Sequence, residues 1–188
     1  MTFADAVVSG FKNYFNFRGR ASRPEFWYWF LFTILISIVA TTLEAVLWPV
    51  PTVQDEWMQL QNTLSQPTPI TNFLAIALLV PNLSVTARRF HDAGFSAKWL
   101  LLQLIPIAYG VFAAIGAISI LSATPDLLRL STEDLMSLVF LIVPIFGLFL
   151  VVMVIYLVFA LKPSRSFYDG NKYVEPESPA SLQEGTTA

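Results

Sequence analysis

The sequence predicts an all-α, polytopic membrane protein with four transmembrane helices and an additional N-terminal amphipathic interfacial helix. Three observations support this prediction. The chain of 188 residues is 55% hydrophobic and 13% charged, whereas a soluble domain is about 25% charged. Its mean hydropathy is +0.62. Finally, four stretches with almost no charge approach the roughly 20 apolar residues that a membrane-spanning helix requires.

Composition also excludes several classes of protein. The 11 Lys and Arg residues against 13 Asp and Glu residues give a net charge of −2, so we expect no nucleic-acid partner. The chain is too apolar to be disordered throughout. The absence of cysteine excludes disulfide frameworks and thiolate zinc sites. Because His91 is the one histidine, a multi-histidine metal site is excluded, and we expect neither a metal nor a cofactor.

The N-terminal segment is predicted to form an amphipathic helix. Its aromatic and aliphatic residues recur at helical spacing, namely Phe3, Val7, Phe11, Tyr14 and Phe15. Two placements are open for this helix. It lies on the cytoplasmic surface of the membrane, or it packs against the cytoplasmic ends of the protein's own spans.

The four predicted spans belong to a single membrane domain at residues 1–174. We place them at about residues 26–48, 70–87, 99–121 and 135–161. The second is the weakest, because Asn72, Asn82 and Ser84 interrupt it, and a buried re-entrant segment is the alternative. The fourth is long enough to tilt. The tail at residues 175–188 is rich in Pro, Glu, Ser and Thr and is predicted to be disordered.

Three prolines and one acid fall inside these spans. Each proline leaves a carbonyl four residues earlier without its helical donor and tends to kink the helix. The prolines are Pro81, Pro106 and Pro144, and the carbonyls belong to Ala77, Leu102 and Phe140. The acid is Glu44, one turn before Trp48. We expect its carboxylate to extend to the water outside the membrane.

The distribution of basic residues predicts the orientation. Ten of the eleven Lys and Arg residues lie in the N-terminal segment, the loop between the second and third spans, or the C-terminal tail. The other two loops contain Arg129 alone. Because basic loops remain in the cytoplasm, both termini and the central loop are expected there. The first external loop is predicted to contain a short interfacial helix, and Thr124-Pro125 to begin a helical turn in the second.

The first polar motif covers residues 17–27 and contains three arginines, Arg18, Arg20 and Arg23. Ser22 and Glu25 form a Ser-x-x-Glu capping box at the start of the first span, and proline fits the position between them. Capping does not explain the arginines. Membrane topology alone is one explanation, and the binding of phosphate or anionic lipid headgroups is the other.

The second polar motif covers residues 81–99. Arg88 and Arg89 end the second span, Lys98 begins the third, and a glycine between them permits a tight reversal. Neighbouring His91 and Asp92 resemble an acid–base pair, but no serine nucleophile accompanies them. A structural role is therefore expected.

The two motifs are predicted to meet at one end of the protein. Asp92 is expected to pair with Arg20 or Arg23. Glu25 is expected to bind its own helix start, Arg88 or Arg89.

The candidate residues fall into two hypothetical groups. The candidates for binding lipid or a partner are Arg18, Arg20, Arg23, Arg88, Arg89 and Lys98. The candidates for a structural polar cluster are Ser22, Glu25, His91 and Asp92. No residue is assigned as catalytic or as a metal ligand.

Three sequence patterns together resemble a known family. They are Phe-x-Gly-Arg-x-Ser-Arg-x-Glu-Phe-Trp at 17–27, Arg-Arg-x-His-Asp-x-Gly-x-Ser at 88–96, and Gly-Asn-Lys-Tyr at 170–173. They resemble the bacterial inner-membrane family called domain of unknown function 805, the YhaH-like proteins, over most of the chain. Val174 departs from the pattern, since a glycine usually follows the tyrosine. The resemblance implies a small polytopic inner-membrane protein and supplies no substrate, cofactor or reaction.

We therefore expect a non-enzymatic integral inner-membrane protein. Its basic cytoplasmic rim would bind anionic lipid headgroups or a membrane-protein partner, and that partner could be a second copy of the chain. One alternative is an oligomeric small-solute transporter or channel. Another is an enzyme that acts on lipid headgroups through His91, Asp92 and the arginines.

Overall fold

The computed structural model describes residues 1–123 and 131–173, and across these two ranges it contains helices and no strand. The helices are α1 (Phe3–Lys12), α2 (Arg23–Leu47), α3 (Glu56–Leu64), α4 (Pro69–Asp92), a 3₁₀ helix (Ala97–Gln103), α5 (Leu104–Ala123) and α6 (Thr132–Leu161). The predicted all-α class is confirmed. The predictions for Thr124-Pro125 and for residues 175–188 lie outside the described residues.

Four of these segments are long and apolar enough to cross a membrane, as predicted: α2, α4, the 3₁₀ helix with α5, and α6. The segment with the weakest pattern is α4, yet it is one continuous helix of 24 residues. At 1.5 Å per residue it is about 36 Å long, which exceeds the ~30 Å hydrocarbon core. The protein is therefore an integral membrane protein, and α4 has the length of a full span.

The spans form two antiparallel pairs, α2 with α4 and α5 with α6. We call one end of the bundle the basic end: there α2 and the 3₁₀ helix begin, and α4 and α6 end. An aromatic cluster joins the pairs at this end. The ring centroid of Phe159 in α6 lies 3.9 Å from that of Phe95 and 5.2 Å from that of Phe90.

Helix α1 packs against α2 and α4, which is the second of the two predicted placements. The contact depends on a close approach at Gly10, where a Cβ atom would lie 2.1 Å from the Trp29 ring. The ring of Phe11 meets Trp29 edge-on at 5.3 Å. Gly10 is thus required for packing, because any larger residue would displace α1 from α2.

Tyrosines from neighbouring segments bond two of the carbonyls that prolines free. The hydroxyl of Tyr14 donates to the Ala77 carbonyl oxygen at 2.5 Å, which is the acceptor that Pro81 leaves open. The hydroxyl of Tyr109 lies 3.5 Å from the Phe140 oxygen, which Pro144 leaves open. A span tolerates an internal proline when a neighbouring helix satisfies the freed backbone group.

The third proline is accommodated differently. Helix α5 begins at Leu104, which places Pro106 in its first turn, where a backbone N–H has no helical acceptor. The preceding residues form the 3₁₀ helix, so the third span begins at Ala97 and is not α-helical throughout. The hydroxyl of Tyr156 donates to the Leu100 carbonyl oxygen at 2.9 Å and lies 3.3 Å from that of Trp99.

The expectation that Glu44 reaches water is wrong. Its side chain is buried, with the residue 2% exposed. The carboxylate accepts the backbone N–H groups of Ile70 at 2.6 Å and Thr71 at 2.9 Å, and the Thr71 hydroxyl at 2.6 Å. Helix α4 lacks a side-chain cap from its own Thr68. Glu44 therefore supplies that cap from α2, and the unsatisfied N–H groups at the helix start hold the carboxylate inside.

Candidate functional site

The candidate site is a cluster of buried ion pairs at the basic end. In its first part, Nη1 of Arg88 donates to Oε1 of Glu25 at 2.7 Å, and the two side chains are 4% and 8% exposed. The Ser9 hydroxyl donates to the same oxygen at 2.8 Å. One carboxylate therefore joins α1, α2 and α4.

The predicted capping box at the start of α2 forms only in part. The Ser22 hydroxyl accepts the Glu25 N–H at 3.3 Å, as the pattern predicts. The Glu25 side chain does not return to the backbone of Ser22. It binds Arg88 instead, because a charge-assisted bond to a guanidinium is stronger than one to a neutral amide.

Asp92 is the centre of the second part. Its Oδ1 accepts Nε of Arg20 at 2.7 Å and lies 2.6 Å from Nη2 of the same residue. Its Oδ2 accepts Nη1 of Arg89 and the hydroxyl of Ser164. The predicted pairing of Asp92 with Arg20 is thus present in the structure, whereas Arg23 takes another partner.

Two arginines from other helices bond the carbonyl groups at the end of α6. Arg89 is fully buried and donates from Nε to the Ala160 oxygen at 3.0 Å and from Nη2 to the Lys162 oxygen. Arg23 also donates to the Lys162 oxygen, at 3.0 Å. The last carbonyls of a helix lack helical donors and carry partial negative charge. These guanidinium groups therefore cap α6 from α2 and α4.

The segment after α6 folds back over the end of α4. The backbone N–H of Arg165 donates to the Asp92 carbonyl oxygen at 2.9 Å. Nδ2 of Asn171 donates to the His91 carbonyl oxygen at 2.9 Å and to the Arg165 oxygen at 3.1 Å. Asn171 is buried and was not among the candidate residues. The Gly-Asn-Lys-Tyr pattern at 170–173 was the feature of the sequence that could have identified Asn171.

Within residues 1–123 and 131–173, the His91 ring makes no hydrogen bond to the Asp92 carboxylate. Its ring stacks on Tyr173, with centroids 4.2 Å apart and planes 19° apart. Its Nδ1 is buried without a hydrogen-bond partner in residues 1–123 and 131–173, as are Nε and Nη2 of Arg88. Within those residues no three potential metal-ligating side chains lie together. The observed bonds of Asp92 connect the end of α4 to the segment before α2 and to the chain after α6, and we call this arrangement the structural lock.

The candidates for binding lipid or a partner divide into two groups. Arg88 and Arg89 are buried and bonded to internal acceptors, so they cannot reach a headgroup, and their assignment as binding residues is corrected. The outward-facing candidates are Arg18, Arg20, Arg23 and Lys98. Arg20 is shared between the groups, because its side chain pairs with Asp92 and is 37% exposed.

A turn outside the cluster has its own ionised group. Asp169 accepts the backbone N–H of Ser166 at 2.9 Å and its hydroxyl at 2.8 Å. These hydrogen bonds, the backbone one first, lower the pKa of Asp169 below its usual value. The carboxylate is exposed, so the turn is held without a buried charge.

A family model and curated relatives match this chain. The family described as "Protein of unknown function (DUF805)" matches residues 14–173. The "Inner membrane protein YhaH" of Escherichia coli (strain K12) is 35% identical over 102 residues, which are 54% of this chain and 74% of YhaH. The "Inner membrane protein YhaI" of the same strain is 31% identical over 100 residues, 53% of this chain and 70% of YhaI. No solved structure matches the chain.

Proposed function

Because the chain belongs to the DUF805 family, whose description assigns no activity, we propose a non-enzymatic role for it at the surface of the inner membrane. The basic end faces the cytoplasm, with both termini, and its outward-facing basic residues bind anionic lipid headgroups. The names of YhaH and YhaI support the inner membrane as the location.

The observation that carries this proposal is the division of the basic residues. Arg88 and Arg89 point inward, and their guanidinium groups bond to Glu25, to Asp92 and to a carbonyl oxygen at the end of α6. Of the outward-facing candidates, Arg18, Arg23 and Lys98 make no ion pair within residues 1–123 and 131–173, and Arg23 also bonds to the Lys162 carbonyl oxygen. Each guanidinium or ammonium group at a membrane surface contributes about 1 kcal/mol to the attraction of anionic lipid.

The orientation is tested with reporter fusions along the full-length chain. Fusions after Tyr173 and near Ser96 should report the cytoplasm, because ten of eleven basic residues accompany them. Fusions near Gln61 and Pro125 should report the outside. A cytoplasmic signal at Gln61 would overturn the four-span topology.

Lipid binding is tested with the double variant Arg18→Gln/Arg23→Gln, which leaves Arg20 and its partner Asp92 intact. The matched control is Arg129→Gln, which removes one basic residue from the sequence between α5 and α6. Mass spectrometry should show that the purified double variant retains less phosphatidylglycerol. Each lost arginine should lower the affinity for this lipid about fivefold. Unchanged lipid content in a properly inserted double variant would show that these arginines do not bind lipid.

If a protein and not lipid is the occupant, the double variant would keep its phosphatidylglycerol and lose a co-purifying membrane protein. That result would show that Arg18 and Arg23 bind a protein partner and not lipid. Because Arg23 also caps α6, the thermal stability of each variant is measured in parallel. A loss of lipid at unchanged melting temperature supports direct binding.

A further inference from the structure

We propose that the 3₁₀ helix forms a defined site for one anionic phospholipid. The phosphate is held by the ammonium group of Lys98, and an acyl chain lies along Leu101 and Leu102. The inference rests on the proposed function, because it requires the basic end to face anionic lipid. It goes beyond that function by naming a single groove in place of a diffuse rim.

The 3₁₀ geometry places the required groups in rows. With three residues per turn, side chains at i and i+3 lie directly above one another. Lys98 therefore stands above Leu101, and Trp99 stands above Leu102, in two adjacent rows along the axis. In an α-helix each step of three residues would rotate by about 60°, and the rows would diverge. A charged group above an apolar row matches the order of phosphate and acyl chain in a phospholipid.

A shallow, open groove lies along these rows. Its volume is about 310 Å³, and it is lined by Lys98, Trp99, Leu101 and Leu102. Leu101 is 61% exposed, so the floor of the groove is open to the surroundings of the bundle. No carboxylate within residues 1–123 and 131–173 forms a salt bridge with Lys98. The groove thus combines one unpaired cation at its mouth with an apolar floor.

Contacts behind the groove keep it in shape without a ligand. Tyr156 donates its hydroxyl to the Leu100 carbonyl oxygen at 2.9 Å, and the Ser96 hydroxyl accepts the Lys98 N–H at 3.3 Å. The Trp99 ring meets Phe159 edge-on at 5.4 Å. Because these contacts fix the backbone of the 3₁₀ helix and the Trp99 ring, little of that part is ordered anew when a lipid binds.

The charge at the mouth selects the class of headgroup. Trp99 marks the level of the membrane interface, where amphipathic rings reside, and Lys98 precedes it at the same end of the span. Phosphatidylglycerol, an anionic phospholipid, offers a phosphate without an ammonium group of its own. A zwitterionic lipid brings an ammonium group that competes with Lys98 for that phosphate. We therefore commit to an anionic lipid, with phosphatidylglycerol as the probe.

The test uses the full chain in nanodiscs of phosphatidylethanolamine containing phosphatidylglycerol, followed by native mass spectrometry. The unmodified protein should retain one phosphatidylglycerol after mild activation, and Lys98→Gln should reduce that retained fraction at least fivefold. Lys98→Arg should restore it, which excludes a general folding defect. Retention by Lys98→Gln equal to that of the unmodified chain would overturn the site.

A second measurement locates the acyl chain. Phosphatidylglycerol with brominated acyl chains should quench tryptophan fluorescence more than brominated phosphatidylethanolamine does. That difference should disappear in Trp99→Phe, because Trp99 is the tryptophan that lines the groove. An undiminished difference in Trp99→Phe would place the lipid elsewhere and overturn the inference.

The two proposals fail in different ways. If the double variant Arg18→Gln/Arg23→Gln loses lipid while Lys98→Gln retains its single lipid, the rim binds lipid and the groove does not. If Lys98→Gln loses the single lipid while the double variant does not, the groove is the site and the rim determines topology alone.

Discussion

The two ends of the α2–α4 pair hold buried carboxylates in different ways. At the basic end, Glu25 and Asp92 each bind a guanidinium group. At the opposite end, Glu44 is equally buried, and its partners are two backbone N–H groups and one hydroxyl. A carboxylate in a membrane protein can therefore be held by a full charge or by the start of a helix.

The difference concerns how many segments each carboxylate holds together. Asp92 joins the segment before α2, the end of α4 and the chain after α6 through Arg20, Arg89 and Ser164. Glu44 joins two helices. Moreover, neutralising Asp92 leaves the buried guanidinium group of Arg89 without a counter-charge, which is costly. Neutralising Glu44 leaves only neutral donors. The basic end should therefore be the more sensitive of the two.

The largest effect is expected for Asp92→Asn. Breaking a buried ion pair by removing one partner costs about 3–5 kcal/mol, and Arg89 would remain fully buried. We expect a markedly lower melting temperature of the detergent-solubilised protein. The measurement is thermal unfolding followed by helical circular dichroism.

The matched control for that variant is Asp169→Asn, in the turn beyond the cluster. Its carboxylate is exposed and bonds to Ser166, so its loss should matter much less. Because the pKa of Asp169 is lowered in the folded state, its stabilising effect is present at neutral pH. That effect is lost as the pH falls through the lowered pKa. Equal melting of the two variants at neutral pH would argue against a structural lock at Asp92.

The next effect separates two adjacent arginines. Arg89 donates from three nitrogens, whereas Arg88 donates from Nη1 alone among the described contacts. A lysine supplies one point charge and cannot reproduce a guanidinium fork. Arg89→Lys should therefore cost about 2–3 kcal/mol, and Arg88→Lys about 1 kcal/mol. Similar unfolding curves for the two variants would show that the extra bonds of Arg89 contribute nothing.

The sequence predicted the spans and the charge pairing between the motifs, but not the direction of each arginine. Hydropathy is a local property of a segment, so four spans follow from composition alone. The pairing of Asp92 with Arg20 followed because both motifs were placed at one end of the bundle. The inward direction of Arg88 and Arg89 depends on where α1 and the end of α6 pack. No local pattern contains that information.

Glu44 and the 3₁₀ helix illustrate the same limit. The position of Glu44 near a span end suggested water, whereas its partners come from a helix 26 residues further along the chain. The 3₁₀ start of the third span depends on Tyr156 of α6 and on Pro106. The acceptor at Ala77 was predictable, because Pro81 removes its donor locally. Its actual donor, Tyr14, was not.

A smaller effect is expected for Glu44→Gln, at the end opposite the basic end. Glutamine keeps an oxygen for the N–H groups of Ile70 and Thr71 but loses the charge that favours a helix start. We expect a cost of about 1 kcal/mol, measured by the same unfolding assay. A loss as large as that of Asp92→Asn would show that the charge itself, and not the cap, stabilises this end.

The smallest effect is expected at the prolines, where the compared groups carry no formal charge. Tyr14→Phe removes the donor that lies 2.5 Å from the Ala77 oxygen, and Tyr109→Phe removes one at 3.5 Å from the Phe140 oxygen. Hydrogen bonds between helices in a membrane contribute about 0.6 kcal/mol on average and up to about 1.7 kcal/mol. Tyr14→Phe should cost about 0.6 kcal/mol, and because hydrogen bonds weaken with length, Tyr109→Phe should cost less. The assay is urea unfolding in mild detergent, with the two variants compared at one protein concentration.

If Tyr14→Phe is as stable as the unmodified protein, the carbonyl that Pro81 frees needs no donor from Tyr14. In that case packing at Gly10 and Trp29 holds α1 in place, and Gly10→Ala should still destabilise the protein.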